Sequence, residues 1–205
     1  MKLFYITNAR LPNDKGHGIQ VVKMGEALKK ILGSNFELVI PDKAQPEGFS
    51  DNIRDFYSLK KDLSVKRLNL PDPMILSRYL PESFEKPLFN LQILFFGVIS
   101  YFYALSHEGI FYTRDFYLVP FLLAAGKEVY YEAHYFPANK IAIWLHKLLI
   151  PKLSGVVVIT KAFVNYFKAF SYKKILVAHD ATDINFFKPV PRKPNKKLIV
   201  GYIGR

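Results

Sequence analysis

Short runs of β-branched, aliphatic and aromatic residues alternate along this chain with longer stretches of helical periodicity, and that alternation constrains the fold more than any other feature. The first run, KLFYIT at 2–7, is followed by the turn-forming LPNDKGHG and an amphipathic stretch at 19–32. Gly33 is suited to end that helix, and FELVIP at 36–41 is a second strand, so the opening unit is strand, helix, strand. The tract at 42–62 is polar, SVKRLNL at 64–70 predicts a third strand, and Pro71, Pro73 and Pro81 predict a long irregular connection. GIFYTR (109–114), KEVYYEAH (127–134), SGVVVIT (154–160) and KKILVAH (173–179) predict four more strands. Helices are expected over 87–107, 115–126, 141–150 and 161–170, with Asp115 as an N-cap and Gly126 as a terminator.

Parallel neighbours require crossover connections, and those crossovers are right-handed. The pattern therefore predicts an α/β fold, a Rossmann-like doubly wound parallel sheet in strand order 3-2-1-4-5-6-7, occupying residues 1–188. PVPRKPNKK at 189–197 has the prolines and cations of a linker, and residues 198–205 open a new strand that stops at Arg205.

Composition excludes several alternatives. With no cysteine among 205 residues, a disulfide framework, a zinc ribbon and a thiol nucleophile are ruled out, which fits a reducing cytoplasmic setting. The N-terminus reaches Asn8 and Arg10 too soon to hold a secretory apolar segment, which needs about 7 to 15 residues. Residues 87–106 carry no charge and are long enough to span a bilayer, but Pro87, Asn90, Gln92 and Ser100 favour a helix covered within an α/β core. The formal charge is +12, and residues 133–179 contain seven lysines without one Asp or Glu. Such a patch attracts phosphates. No recognised nucleic-acid motif accompanies it, so an anionic membrane surface is the expected partner rather than nucleic acid. In KIAIWLHKLLIPK, Ile141, Trp144, Leu145 and Leu148 share one helix face with lysines at its flanks, a pattern that suits either an interfacial helix or a stripe packed on the sheet.

Open parallel sheets bind ligands at the carboxyl ends of their strands, so the strand tails hold the candidate residues. After the first strand come Gly16, His17 and Gly18, where backbone amides at a helix start can meet an anion. This is not the dinucleotide fingerprint, and its acidic ribose partner is missing, which disfavours a nicotinamide dehydrogenase. Arg114 can clamp an anion or pair with Asp115. Glu132 and His134 fall on one side of an extended segment, where a histidine beside a carboxylate can serve as acid, base or hydrogen-bond donor to a sugar hydroxyl. His179, Asp180 and Asp183 read better as a capped turn than as metal ligands.

Taken together, GHGIQVVKMGEAL, VYYEAHYFP, VVVITKAFVNYF, ILVAHDATDINFFKP and GYIGR resemble the N-terminal domain of glycosyltransferase family 4, the large retaining GT-B group. The departures are a short glycine loop and His179-Asp180-Ala181-Thr182-Asp183 in place of the usual Asn-Gly-Val-Asp, of which only Asp183 is kept. The resemblance implies metal-independent transfer of a sugar from a nucleotide-diphosphate sugar with retention, without a cofactor, to a sugar or lipid-linked acceptor. It implies that His134 meets the donor sugar or acceptor hydroxyl, that Gly16 and Gly18 lie at phosphate or sugar, and that Arg205 contacts the diphosphate. A C-terminal donor-binding domain, in cis or in trans, is the implied partner, and the chain alone is expected to be inactive and to bind nucleotide weakly. The expected location is cytoplasmic, with peripheral attachment to the inner face of the cell membrane. A GT-B-like module that binds a partner or an anionic membrane without catalysis is the alternative.

Overall fold

The computed structural model describes residues 1–43, 52–137, 139–170 and 174–181, together with positions 184 and 188. The linker expected at 189–197, the strand at 198–205, Asp183 and Arg205 lie outside the described residues. Among the described residues, seven strands form one sheet: β1 (Leu3–Ile6), β2 (Phe36–Asp42), β3 (Val65–Asn69), β4 (Ile110–Thr113), β5 (Glu128–Ala133), β6 (Gly155–Val158) and β7 (Ile175–Val177). Their order is β3-β2-β1-β4-β5-β6-β7, and every pairing is parallel. This is the α/β, Rossmann-like doubly wound arrangement that the alternation predicts.

Period two along each strand divides the core into two layers. On one face Tyr5, Leu38 and Ile40 pack against Val21 and Val22 of α1 (Gly16–Leu32) and Ile53 of α2 (Ile53–Phe56). The polar tract at 42–62 thus contains a short helix, capped where the Asn52 side chain accepts from the Asp55 amide at 3.2 Å. On the other face Phe4, Ile6, Phe111, Val129 and Val156 pack against α3 (Glu85–Leu105), α4 (Val119–Ala124), α5 (Lys140–Leu149) and α6 (Ala162–Lys168).

Two helices differ from expectation. The helix foreseen over 115–126 is a 3-10 turn, Phe116–Leu118, followed by α4 with Pro120 in its first turn, where the missing N–H costs nothing. The Asp115 carboxylate is drawn instead to the tail of β1, accepting from Thr7 Oγ1 at 2.7 Å and the Asn8 amide at 2.8 Å. The apolar helix α3 is covered on one side only. Leu88, Gln92, Phe96, Gly97, Ser100, Tyr103 and Ala104 are buried, whereas Leu91, Leu94, Val98, Phe102 and Leu105 face outward. The helix is long and apolar enough to cross a membrane, and 39% of its most apolar stretch is buried. Its buried polar residues are accounted for, because Gln92 exchanges two hydrogen bonds with Asn8 at 3.0 and 2.9 Å and Ser100 donates to the Phe96 carbonyl at 2.6 Å, while Asn90 is exposed.

His146 of α5 lies in the second core layer, 4% exposed, between Phe116 and Phe167, with Nδ1 3.2 Å from the Tyr166 hydroxyl. Burial pushes its pKa down to about 4. The unfolded chain takes up this proton near pH 6.5 and the folded chain does not, so the stabilising effect is complete above that pH and is lost as pH falls toward 4. Urea unfolding at neutral pH and at about pH 4.5 is expected to show a loss of about 2 kcal/mol from this residue, and His146→Phe should remove that part of the difference.

Candidate functional site

The polar residues that matter converge at the carboxyl ends of β1, β2, β4 and β5. In the register of β4 with β5, Tyr112 lies opposite Tyr130, so Tyr112, Arg114, Glu132 and His134 project on the α1 side of the sheet. That geometry brings three of them into a relay. The Tyr112 hydroxyl donates to Glu132 Oε2, and Glu132 Oε1 accepts from His134 Nε2 at 2.7 Å. The side chains of Glu132 and His134 are 7% and 10% exposed. Burial acts to raise the Glu132 pKa, but the hydrogen bonds from His134 and Tyr112 and the nearby Arg114 charge outweigh it and hold the carboxyl below its ordinary value. The same burial, with the Glu132 charge, raises the Tyr112 hydroxyl and keeps it a donor. A carboxylate only accepts, so His134 Nε2 carries a proton, and Nδ1 is the nitrogen left for a substrate.

Residues of α1 complete the rim beside this relay. Arg114 donates to Gln20 Oε1 at 3.3 Å, and Gln20 in turn donates to Asp180 Oδ1 at 3.2 Å. The sequence left open a clamp or a pair with Asp115 for Arg114; its side chain reaches α1, while Asp115 anchors the tail of β1. Gly16 and His17 stand at the first positions of α1, where backbone amides have no intrahelical acceptor. The His17 pKa is lowered by burial and by the charges of Arg114 and Lys15, which outweigh Asp115. Gly18 has a packing role. Its amide donates to the Lys15 carbonyl at 2.9 Å, and a Cβ on it would stand 2.5 Å from Asn13 Oδ1. Asn13 is itself fixed, because its Oδ1 accepts from the Lys15 amide at 2.8 Å and the Tyr57 hydroxyl bridges its backbone N–H and C=O.

Several rim residues escaped the reading of the sequence. Lys43 follows β2, and burial pushes its pKa down to about 8, with Asp72 opposing the shift and Arg10 adding to it. Arg10 Nη2 stands 3.7 Å from Asp72 Oδ2. Asn8 and Gln92 hold the end of β1, and Tyr112 orients Glu132. Only Tyr112 had a usable signal, since period two from Arg114 places it on the same face. His179 Nδ1 lies 3.0 Å from the Ile159 carbonyl, next to the tail of β6. Among the described residues no group of three or more His, Asp or Glu is arranged to hold a metal ion.

A hollow of about 450 Å³ lies at the opposite, amino-terminal edge of the sheet, where Lys127 and Glu108 pair at 2.8 Å. The relay and its cations are therefore distinct from that hollow and sit at the ligand-binding end of an open parallel sheet. The chain matches no family model and no curated protein sequence.

Proposed function

We propose that this rim is the acceptor side of a retaining, metal-independent glycosyltransferase that uses a nucleotide-diphosphate sugar. The observation that carries the reading is the Tyr112, Glu132 and His134 relay, set beside the start of α1 and Arg114. Glu132 fixes the imidazole, so that His134 Nδ1 meets a hydroxyl of the donor sugar or of the acceptor. The amides of Gly16 and His17 and the Arg114 guanidinium favour an anion at the helix start. Departure of a nucleoside diphosphate needs charge stabilisation more than a protein nucleophile, and preorganised donors supply it. The donor-binding half belongs to a second Rossmann-like domain on this reading.

The test supplies that half, fused or as a separate chain, and follows label from a panel of nucleotide sugars into sugar and lipid-linked acceptors. Transfer with the anomeric configuration retained is the expected result; hydride transfer, or transfer with inversion, would overturn the reading. A second reading, a GT-B-like interaction module without catalysis, is favoured by the outward apolar face of α3. It predicts binding without turnover for every donor in the panel.

A further inference from the structure

We infer that the outer face of α5 is a docking surface for an anionic lipid bilayer. The sequence left it open whether Ile141, Trp144, Leu145 and Leu148 pack on the sheet, and Leu145 does pack against the core. The other three, Ile141, Trp144 and Leu148, do not: they are 71%, 60% and 45% exposed, while Leu145, His146 and Leu149 make the inward contacts. At 100° per residue Lys140 and Lys147 lie within about 60° of Trp144 around the helix, so the exposed face combines an indole, aliphatic side chains and two ammonium groups. Helix α5 is apolar inward and outward alike, which packing against the sheet alone does not require.

Helices α3 and α5 pack on the same face of the sheet, and Leu94, Val98 and Phe102 of α3 are 50%, 39% and 62% exposed. Scattered exposed apolar residues are ordinary, but α5 gathers Ile141, Trp144 and Leu148 on one outward face, and α3 of the same layer carries a second outward stripe.

Charge selects the occupant. On the outward side of α5, Lys140 and Lys147 stand beside the apolar residues and the helix carries no Asp or Glu, so this face attracts anions and offers none of its own. A second copy docked across a two-fold axis would bring the same lysine-bearing face against itself. A nucleic acid would neutralise the lysines and leave the Ile141, Trp144 and Leu148 stripe in water. An anionic bilayer answers both, with phosphates for the ammonium groups and the interfacial acyl region for the indole and aliphatic groups. This surface is separate from the rim, and the inference stands whether or not the protein transfers sugar.

Trp144 is the only tryptophan in the chain and therefore reports on this face alone. The intact chain is titrated with phosphatidylcholine vesicles and with vesicles of mixed phosphatidylcholine and phosphatidylglycerol, following Trp emission, acrylamide quenching and co-sedimentation. Mixed vesicles are expected to shift the emission to the blue and protect Trp144, with binding that falls steeply between about 50 and 500 mM salt. The double variant Lys140→Glu, Lys147→Glu, at exposed positions, should keep the wild-type circular dichroism spectrum and bind roughly tenfold or more weakly. The inference is overturned by absence of vesicle binding, by equal binding to neutral vesicles, by binding that leaves Trp144 emission unchanged, or by a concentration-dependent blue shift without lipid, which would show a second copy on this face.

Discussion

His134→Ala, in protein supplied with its donor-binding half, is expected to fold as the wild type does and to lose sugar transfer by a factor on the order of 100 or more in kcat/KM. The fold should survive because His134 lies just past the last residue of β5 and contributes no ladder hydrogen bond from its side chain. Its removal deprives Glu132 Oε1 of a partner at the rim, where water can replace it, whereas the Tyr112 bond to Oε2 remains. On the proposed function the imidazole is the group held toward the substrate, so the loss should fall on catalysis. Glu132→Gln separates orientation from contact: the amide can keep one bond to the relay but no longer fixes the same tautomer, and an intermediate loss in kcat/KM with little change in stability is expected. Steady-state kinetics with circular dichroism on the same samples check both. A completed enzyme indifferent to His134 would contradict the assignment.

Gly109→Ala is expected to be the most damaging small substitution in the sheet, lowering unfolding free energy by about 2 to 5 kcal/mol. Gly109 has φ +155°, and a Cβ there would lie 2.3 Å from the Lys2 carbonyl oxygen. That oxygen cannot move freely, because it accepts the Ile110 amide at 2.9 Å at the point where β4 joins β1. Both backbone strain and a broken rung between two central strands follow from one methyl group. Gly126→Ala provides the comparison: φ is +72° but nothing lies within 4 Å of the added carbon, so only the cost of the left-handed backbone remains, about 1 kcal/mol. Urea titration of the two variants measures the difference directly.

The sheet was legible because every strand is a short β-branched or aromatic run with a polar or glycine boundary, and the crossover rule orders such runs. The relay was legible in part: Glu132 and His134 are two residues apart, so their shared side followed from the pleat, but Tyr112 comes from the neighbouring strand and needs the register of β4 against β5. Lys43 was hidden because its partners, Arg10 and Asp72, come from distant loops that meet only at the sheet edge. The open side of α3 could not be read at all from hydropathy, since an apolar helix reads alike whether a protein layer or another phase covers it. Asn8 and Gln92 show the same limit in reverse. Gln92 looked like an argument against membrane insertion, and its actual role is to complete a paired amide contact at the end of β1.

The central claim is that the carboxyl-end rim binds a nucleotide-diphosphate sugar, and four of the chain's five histidines, His17, His107, His134 and His146, provide a map to test it. His17 and His134 lie on the rim, His146 lies in the core, and His107 stacks on Tyr103 near the amino-terminal end of β4. Imidazole signals are followed by heteronuclear NMR as the protein is titrated with nucleotide-diphosphate sugars into the millimolar range, and His17→Gln and His134→Gln variants assign the two rim signals. The account predicts saturable shifts of His134 and His17 with His107 and His146 unmoved; shifts centred on His107, or no movement of either rim histidine with any donor, would contradict it.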